Sequence, residues 1–464
     1  LEYKDTYFFN GQVALQAASE QNRYGALKQF LQVCYYDGEK IQSDLINLIH
    51  LPIGNLVDGL GMGTARLPTG LNLGGLEVSE DVRMKIIENF RISLRKAYEK
   101  RNEFNSSYYE VSKNTELNFN ESLRFYLVAN KSTQVMQYIS YNVTKALKAA
   151  GYNVFYDLNY GIEDENCLKN MSQFNPHVTI NINHLNNDFL SPDVYNFVWF
   201  QDFMPILLDK KKMKLRKRDF IFHLTDGLEK KLHAKKVFSR YQGFCIDTST
   251  YKPNKSIKKE KKIVFIGSSY MKNFQNIQAD QKDFICDLIY QAYLKDGIMP
   301  SKKRRKIAKK FKIDEVSLGH IFNYVERDLA LLYIVQNMKE YEIEVYGPGW
   351  DTYEVMHTIY KGSLSYGEEI SRVYNSAMYS LVLGGYVLQQ RTLESAASGC
   401  IPIVVDSRIN DTMVQECYEE SLIFIKTADD LQNVLDEEPN RELECIVKYN
   451  SYDKFVQTMR GLIK

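Results

Sequence analysis

Arg391 and Glu394 stand three residues apart in the run 389–406, QQRTLESAASGCIPIVVD, of this 464-residue chain. A polar loop there leads into a short helix of small residues. A Gly, a Pro and an apolar run of β-branched residues follow and read as a buried parallel strand. This reading places Glu394 in the first helical turn, where a carboxylate complements the helix dipole. Main-chain N–H groups of a first turn have no helical partner and can hold an anion. Arg391, with Thr392 in the same turn, can chelate a diphosphate and offset leaving-group charge. It can equally pair with Glu394 at i, i+3. One helix start thus offers a phosphate site beside a carboxylate able to accept bonds from sugar hydroxyls. That combination suits a nucleotide-sugar.

Other residues fit the same chemistry. Gly267-Ser268-Ser269 follows the strand-like KIVFIG (262–267), where a glycine lets the backbone approach a pyrophosphate and serine hydroxyls donate to it. An ordinary turn is the plainer alternative. Asp202, in WFQD after another strand pattern, can act as base toward an acceptor hydroxyl or cap the turn before Pro205. His184, in NINHLNND, is the second candidate base, whereas His223 lies within an apolar strand and reads as core. Gly347-Pro348-Gly349-Trp350 reads as a rigid turn, with Trp350 a core anchor. No D-x-D appears and no His/Cys/carboxylate cluster has ligand spacing, so the expectation is no metal and no cofactor. Arg391, helix N–H groups and Lys272 would stand in for a cation.

Two tandem sheets must position these residues. Residues 1–118 read as mainly helical around a Gly-rich connector, GLGMGTARLPTGLNLGG (59–75), and suit acceptor selection or dimerisation. From 119 to 250, strands at 124–129, 153–158, 177–182, 196–200 and 219–224 alternate with helices at 134–150 and 227–235. Residues 246–259, polar with Pro253, read as a linker. The alternation restarts over 251–440, with strands at 262–267, 342–347, 379–384, 401–405 and 421–425. Residues 441–464 read as a terminal helix. The expected fold class is α/β: two Rossmann-like, doubly wound domains with an interdomain cleft.

The segment ESAASGCIPIV (394–404) resembles the "E-A-x-A-x-G-x-P-V-V" run of GT-B glycosyltransferases. With Arg three residues before the Glu, QQRTLE is similar to the CgeB-like, spore-maturation branch. NFVWFQDFMP (196–205), VFIGSS (264–269), VYGPGW (345–350) and KGSLSYGEE (361–369) follow that branch in order, over about residues 122–435. The resemblance implies the GT-B architecture, with the terminal helix crossing back to the first domain, and that Glu394 binds the donor ribose. It also implies that the loop of Gly362, Ser363 and Leu364 presents backbone groups to the nucleotide base. Retaining members carry a further Glu eight positions before the first, where this chain has Tyr386. That departure favours inversion by direct displacement, with Asp202 or His184 as base.

Composition narrows the partners. Net charge is +1, with 44% hydrophobic and 25% charged residues, so no general pull toward nucleic acid or membrane follows. Two basic runs, KKKMKLRKR (210–218) and KKRRKIAKK (302–310), read first as solvated faces and second as a hold on anionic lipid or an acidic acceptor. Seven scattered cysteines without a C-x-x-C pair argue against a disulfide framework or zinc site and point to a reducing cytoplasm. The 33 tyrosines fit an AT-rich coding sequence as well as any binding role. The chain opens on Leu and reads as a fragment of something longer. The combined expectation is a cytoplasmic, metal-independent glycosyltransferase, peripheral at the inner membrane face or a homodimer. It would move a sugar from a nucleotide-sugar to a hydroxyl of a protein or glycan. The alternatives are a sugar-nucleotide epimerase on the same fold and a non-catalytic GT-B-like scaffold.

Overall fold

The structure, a computed structural model, describes residues 105–130, 134–159, 162, 165–208, 213–338, 341–410, 417–435 and 441–463, with 103 and the pairs 72–73 and 76–77. The roles expected of residues 1–118 lie almost wholly outside these. Of the Gly-rich connector, Asn72–Leu73 pairs antiparallel with Leu76–Glu77. The described residues fall into two compact units, Leu1–Phe200 with Met204–Phe222, and Gln201–Phe203 with His223–Lys464.

The first sheet is built from β1 (Arg124–Asn130), β2 (Asn153–Asn159), β3 (Val178–Ile182), β4 (Tyr195–Phe200), β5 (Asp219–His223) and β6 (Arg240–Tyr241). Their spatial order is β2-β1-β3-β4-β5-β6. β1 pairs parallel with both β2 and β3, and β3 with β4. Chain reversal between parallel neighbours requires crossover helices. These are α1 (Gln134–Ala149), ended by left-handed Gly151, and α2 (Glu165–Phe174). Tyr126, Cys167, Leu168 and Met171 pack α2 onto the sheet. Helices α3 (Pro205–Leu208) and α4 (Asp226–Ala234) follow β4 and β5.

The basic run 210–218 is partly internal rather than a solvated face. The Arg216 guanidinium pairs with the buried Asp219 carboxylate at 2.8 Å and also donates to the Ser191 and Val194 carbonyls. Arg218 lies over the rings of Phe119 and Tyr195. Unmet carbonyls and aromatic faces use these cations locally.

The second sheet comprises β7 (Glu260–Ile266), β8 (Glu342–Tyr346), β9 (Ala377–Val382), β10 (Ile401–Val405) and β11 (Ile423–Ile425). It is parallel throughout, in the order β8-β7-β9-β10-β11. Along β7, Ile263 and Phe265 join one buried cluster while Val264 and Ile266 join another. Alternate residues thus feed two cores, which is why the strand reads as continuously apolar. Sequence periodicity left 271–337 unassigned. The segment folds as α5 (Met271–Gln275), α6 (Lys282–Asp296), α7 (Ser301–Phe311), α8 (Glu315–Asn323), a π-helical turn (Tyr324–Leu329) and α9 (Ala330–Asn337). α10 (Glu368–Ser376) precedes β9, and α11 (Gln390–Ala397) joins β9 to β10.

Two readings need correction. Segment 246–259 is not a free linker: Tyr251 is buried, and Asn375 binds the backbone at Asn254 and Lys252. Its polar composition concealed one aromatic anchor. The scattered cysteines also misled, since Cys445 is disulfide-bonded. Disulfides join residues that packing brings together whatever their separation in sequence. Cys445 lies on α14 (Glu444–Tyr449), after α12 (Cys417–Ser421) and α13 (Asp430–Leu435). The last helix, α15 (Tyr452–Leu462), is capped by the Ser451 hydroxyl and belongs to the second unit.

Candidate donor site on the second sheet

β9 leaves the sheet through Gly384 and Gly385, both left-handed with φ 69° and 73°, a conformation that favours glycine. The Gln389 amide donates back to the Gly384 carbonyl and closes this loop. α11 begins there. Thr392 is fully buried, and its hydroxyl donates to the Val387 carbonyl at 2.9 Å and accepts from the Gln389 N–H at 3.3 Å. It is turned inward to start the helix. Buried Ser395, Ala396, Ala397 and Ser398 let the helix lie close on the sheet, and left-handed Gly399 ends it.

Glu394 lies in the second turn of α11, not the first, because the helix opens at Gln390. Its side chain is wholly buried and ion-paired with Arg391, whose side chain is 31% exposed. The pair therefore has one inner partner and one that reaches the surface. Tyr251, Tyr366 and Tyr374 enclose it. The rings of Tyr251 and Tyr366 meet edge-on, with centroids 6.1 Å apart, and the Arg391 guanidinium is 6.0 Å from the Tyr366 centroid. Burial raises the Glu394 pKa, and the neighbouring Arg391 opposes that rise. Burial works to lower the Arg391 pKa, but Glu394 and the tyrosines outweigh it, so the net shift is upward. All three phenols are pushed up, first by burial, with Glu394 adding to the rise. Gln390 and Tyr366 stand beside the carboxylate, yet Glu394 Oε1 has no hydrogen-bond partner of ordinary geometry. A buried acceptor left in this way is costly.

Backbone bonds lace the other candidate loops together at the carboxyl ends of β7 and β8. Gly267 N–H donates to the Tyr346 carbonyl at 3.0 Å, and Gly347 N–H to the Gly362 carbonyl at 2.9 Å. Gly347 has φ 119°, and a Cβ there would stand 2.3 Å from the Gly267 carbonyl oxygen. Trp350 is fully buried and donates its indole N–H to that same oxygen at 2.6 Å, as befits a core anchor. Ser269 turns inward: its hydroxyl donates to Asp328, which also accepts from Tyr270 N–H and from the Tyr353 hydroxyl at 2.8 Å. Burial raises the Asp328 pKa, against these hydrogen bonds and Arg327. Arg327 lies over the Tyr270 ring at 4.3 Å. Ser268 remains exposed, as does Ser363, whereas Leu364 packs on the apolar cluster beneath α10 and α11. Gly362 has φ 92°, with nothing within 4 Å of a would-be Cβ. Two residues past Leu364, Tyr366 reaches the Arg391–Glu394 pair. Gly267, Gly347, Gly362, Tyr366 and Arg391 thereby become one connected edge. Lys272 is exposed on α5.

Sequence reasoning did not assign Tyr251, Tyr366, Tyr374, Arg327 or Asp328 to this site. The tyrosine count was the one available signal, and composition does not say which rings converge.

The two candidate bases follow strands of the first sheet. His184 is exposed between Asn183 and Asn186, both left-handed at φ 65° and 52°. Asparagine tolerates that conformation better than most residues. A buried network of Thr179, Asn181, Asn186 and Asn196 secures the loop from below. Asp202 is exposed two residues beyond β4. His223 is buried, and its Nδ1 meets the Ser239 hydroxyl at 2.9 Å; burial lowers its pKa. It is a core histidine.

Residues 327–449 match the family described as Glycosyl transferase-like. They include Gly347, Gly362, Arg391 and Glu394. No curated protein sequence matches the chain. Among solved structures, it is similar to AviGT4, a glycosyltransferase involved in avilamycin A biosynthesis, at 11% identity and TM-score 0.42, over 73% of this chain and 96% of that one. It is similar to the sucrose-phosphate synthase of Thermosynechococcus elongatus at 10% identity and TM-score 0.45, over 73% and 98%. An alpha-glucosyltransferase in complex with UDP and DNA aligns at 14% identity and TM-score 0.41, over 74% and 100%.

Proposed function

We propose that this chain is a glycosyltransferase that binds a nucleotide-sugar on its second unit and transfers the sugar to a hydroxyl acceptor. The observation that carries this reading is the Arg391–Glu394 pair, a part-exposed cation locked to a buried carboxylate whose Oε1 lacks a partner. A diphosphate competes with Glu394 for the guanidinium. As Arg391 turns to the phosphates, Glu394 gains a free face for sugar or ribose hydroxyls. The cation then offsets charge on the departing diphosphate as the bond to the anomeric carbon breaks. Ser268 and the backbone around Gly267 and Gly362 complete the phosphate and base contacts. Asp202 is the first choice of base for the acceptor hydroxyl and His184 the second, with inversion at the anomeric carbon and no metal. The carbohydrate or protein nature of the acceptor belongs to the same proposal.

A thermal-shift screen of nucleoside diphosphates and CMP tests the donor site. Ligand at ~100 times its dissociation constant should add about 2.7 kcal/mol of stability. No shift with any nucleotide at saturating concentration would sink the reading. Tyr386, 41% exposed on the loop after β9, favours a second reading as a scaffold without catalysis. Slow hydrolysis of the donor without acceptor would count against that scaffold, and an altered sugar recovered from donor alone would identify an epimerase.

A further inference from the structure

The second unit carries a charged surface that the donor site leaves unused. α7 contains no Asp or Glu, and Lys302, Lys303, Arg305, Lys306, Lys309 and Lys310 are all exposed on it. At ~100° per residue these six fall within one arc of about 160°. The opposite arc fastens the helix. Ile307, Ala308 and Phe311 pack on the core, and Arg304 pairs with buried Glu326 while donating to the Met299 carbonyl at 2.9 Å. None of the six outward cations makes an ion pair with a described residue, and Lys310 lies over the Phe311 ring at 5.1 Å. Crowding them on one short helix is electrostatically costly, and an anionic surface laid against it removes that cost.

Apolar side chains stand at the foot of this helix. Phe284 and Leu288, one turn apart on α6, are 61% and 40% exposed, and the Phe284 ring meets Phe311 edge-on at 5.9 Å. Exposed Asp283 and Asp287 also lie on α6. Asp314, beyond the end of α7, is committed to capping α8 through the N–H groups of Val316 and Ser317. Cations flanked by protruding apolar groups match a bilayer interface, where headgroups take the charge and the acyl boundary takes the rings. Leu288 offers a nucleic acid neither a donor nor a stacking face, whereas an acyl boundary takes both Phe284 and Leu288. The outward arc also offers no aromatic ring for base stacking and no Asn or Gln to read base edges.

We propose that α7, with Phe284 and Leu288, docks the protein on an anionic lipid surface. Flotation of the full chain with vesicles of pure phosphatidylcholine, or with about 30% phosphatidylserine, tests it. Binding should require phosphatidylserine and weaken with salt. The triple variant Lys303→Gln, Lys306→Gln, Lys310→Gln should lose roughly a hundredfold in partition while keeping the wild-type melting temperature. Phe284→Ser with Leu288→Ser should remove the binding that survives about 0.5 M salt. Failure to bind phosphatidylserine vesicles, or equal binding by the triple variant, overturns the proposal. So does capture of short duplex DNA by wild type but not the triple variant, with vesicles ignored. The triple variant should show the same nucleotide thermal shift as wild type, which separates this outcome from failure of the donor site.

Discussion

At the scale of single residues, buried Glu326 and Glu394 are among the groups that couple stability to pH. Burial raises Glu326 to about 7, with Arg304 opposing the rise. An acid whose folded pKa lies above its unfolded value holds its proton more readily when folded. Its contribution is therefore present at low pH and lost as pH climbs through the window, here from the ordinary 4.5 to about 7. The loss should total about 3 kcal/mol, and Glu326→Gln should flatten it in melting curves recorded across that range. Glu394 has the same sign of shift, raised by burial and opposed by Arg391. Arg391→Ala would leave a buried, unpaired carboxylate and should cost roughly 3–5 kcal/mol at neutral pH. That loss should shrink as pH falls and Glu394 takes up a proton, and adding Glu394→Gln should abolish the pH dependence. A pH-independent loss in the single variant would show that packing, not charge, is the main role of Arg391. Calorimetry with a nucleoside diphosphate should also find binding weakened at least tenfold in Arg391→Ala.

At the scale of elements, the site is a set of loops whose backbones hold one another. Gly347 is the pin. Its φ of 119° and the 2.3 Å approach of a Cβ to the Gly267 carbonyl mean that Gly347→Ala pushes two loops apart. A cost of roughly 2 kcal/mol or more is expected. Nucleotide affinity should fall with it, because Gly267 and Gly362 both bond to this turn. Gly362→Ala is the contrast: it shares the positive φ but meets nothing within 4 Å. Its expected cost is conformational strain alone, about 1 kcal/mol. Equal affinity losses in the two variants would deny the lacing argument. The π-helical turn serves the same edge, because it carries Asp328 to Ser269, Tyr270 and Tyr353.

At the scale of the molecule, each sheet carries its own core, and the proposed donor contacts fall on the second unit. Scanning calorimetry should therefore resolve two transitions, with a nucleoside diphosphate moving the one that belongs to His223–Lys464. Arg391→Ala should abolish that movement and leave the other transition in place. If a nucleotide raised both transitions equally, the donor would not be confined to the second unit. Among the described residues no helix is long and apolar enough to cross a membrane. Surface contact through α7 is thus a separate matter from spanning.

The parallel sheets were legible in the sequence because their cause is local. Strands buried on both faces must be apolar throughout, and runs such as KIVFIG and IPIVV admit few other readings. The small residues of α11 and the carboxyl-edge loops could be found in the same way, but the helix opens at Gln390, one turn before the sequence reading. Whether Arg391 reaches a ligand or Glu394 could not be read, because i, i+3 spacing permits both. Packing supplies the Glu394 contact: Tyr251, and Tyr366 with Tyr374 just before and along α10, converge from two distant segments on the ion pair, while Arg391 keeps 31% of its side chain exposed. The fate of the basic runs was decided likewise. Arg216 and Arg218 found carbonyls and rings inside the fold, whereas the six exposed cations of α7 make no ion pair with a described residue and only Lys310 lies over a described ring, that of Phe311. Sequence specifies which residues carry charge. Only packing decides which of those charges meet a partner, because the energy of an ion pair depends on separation and desolvation, and neither exists until the chain is folded.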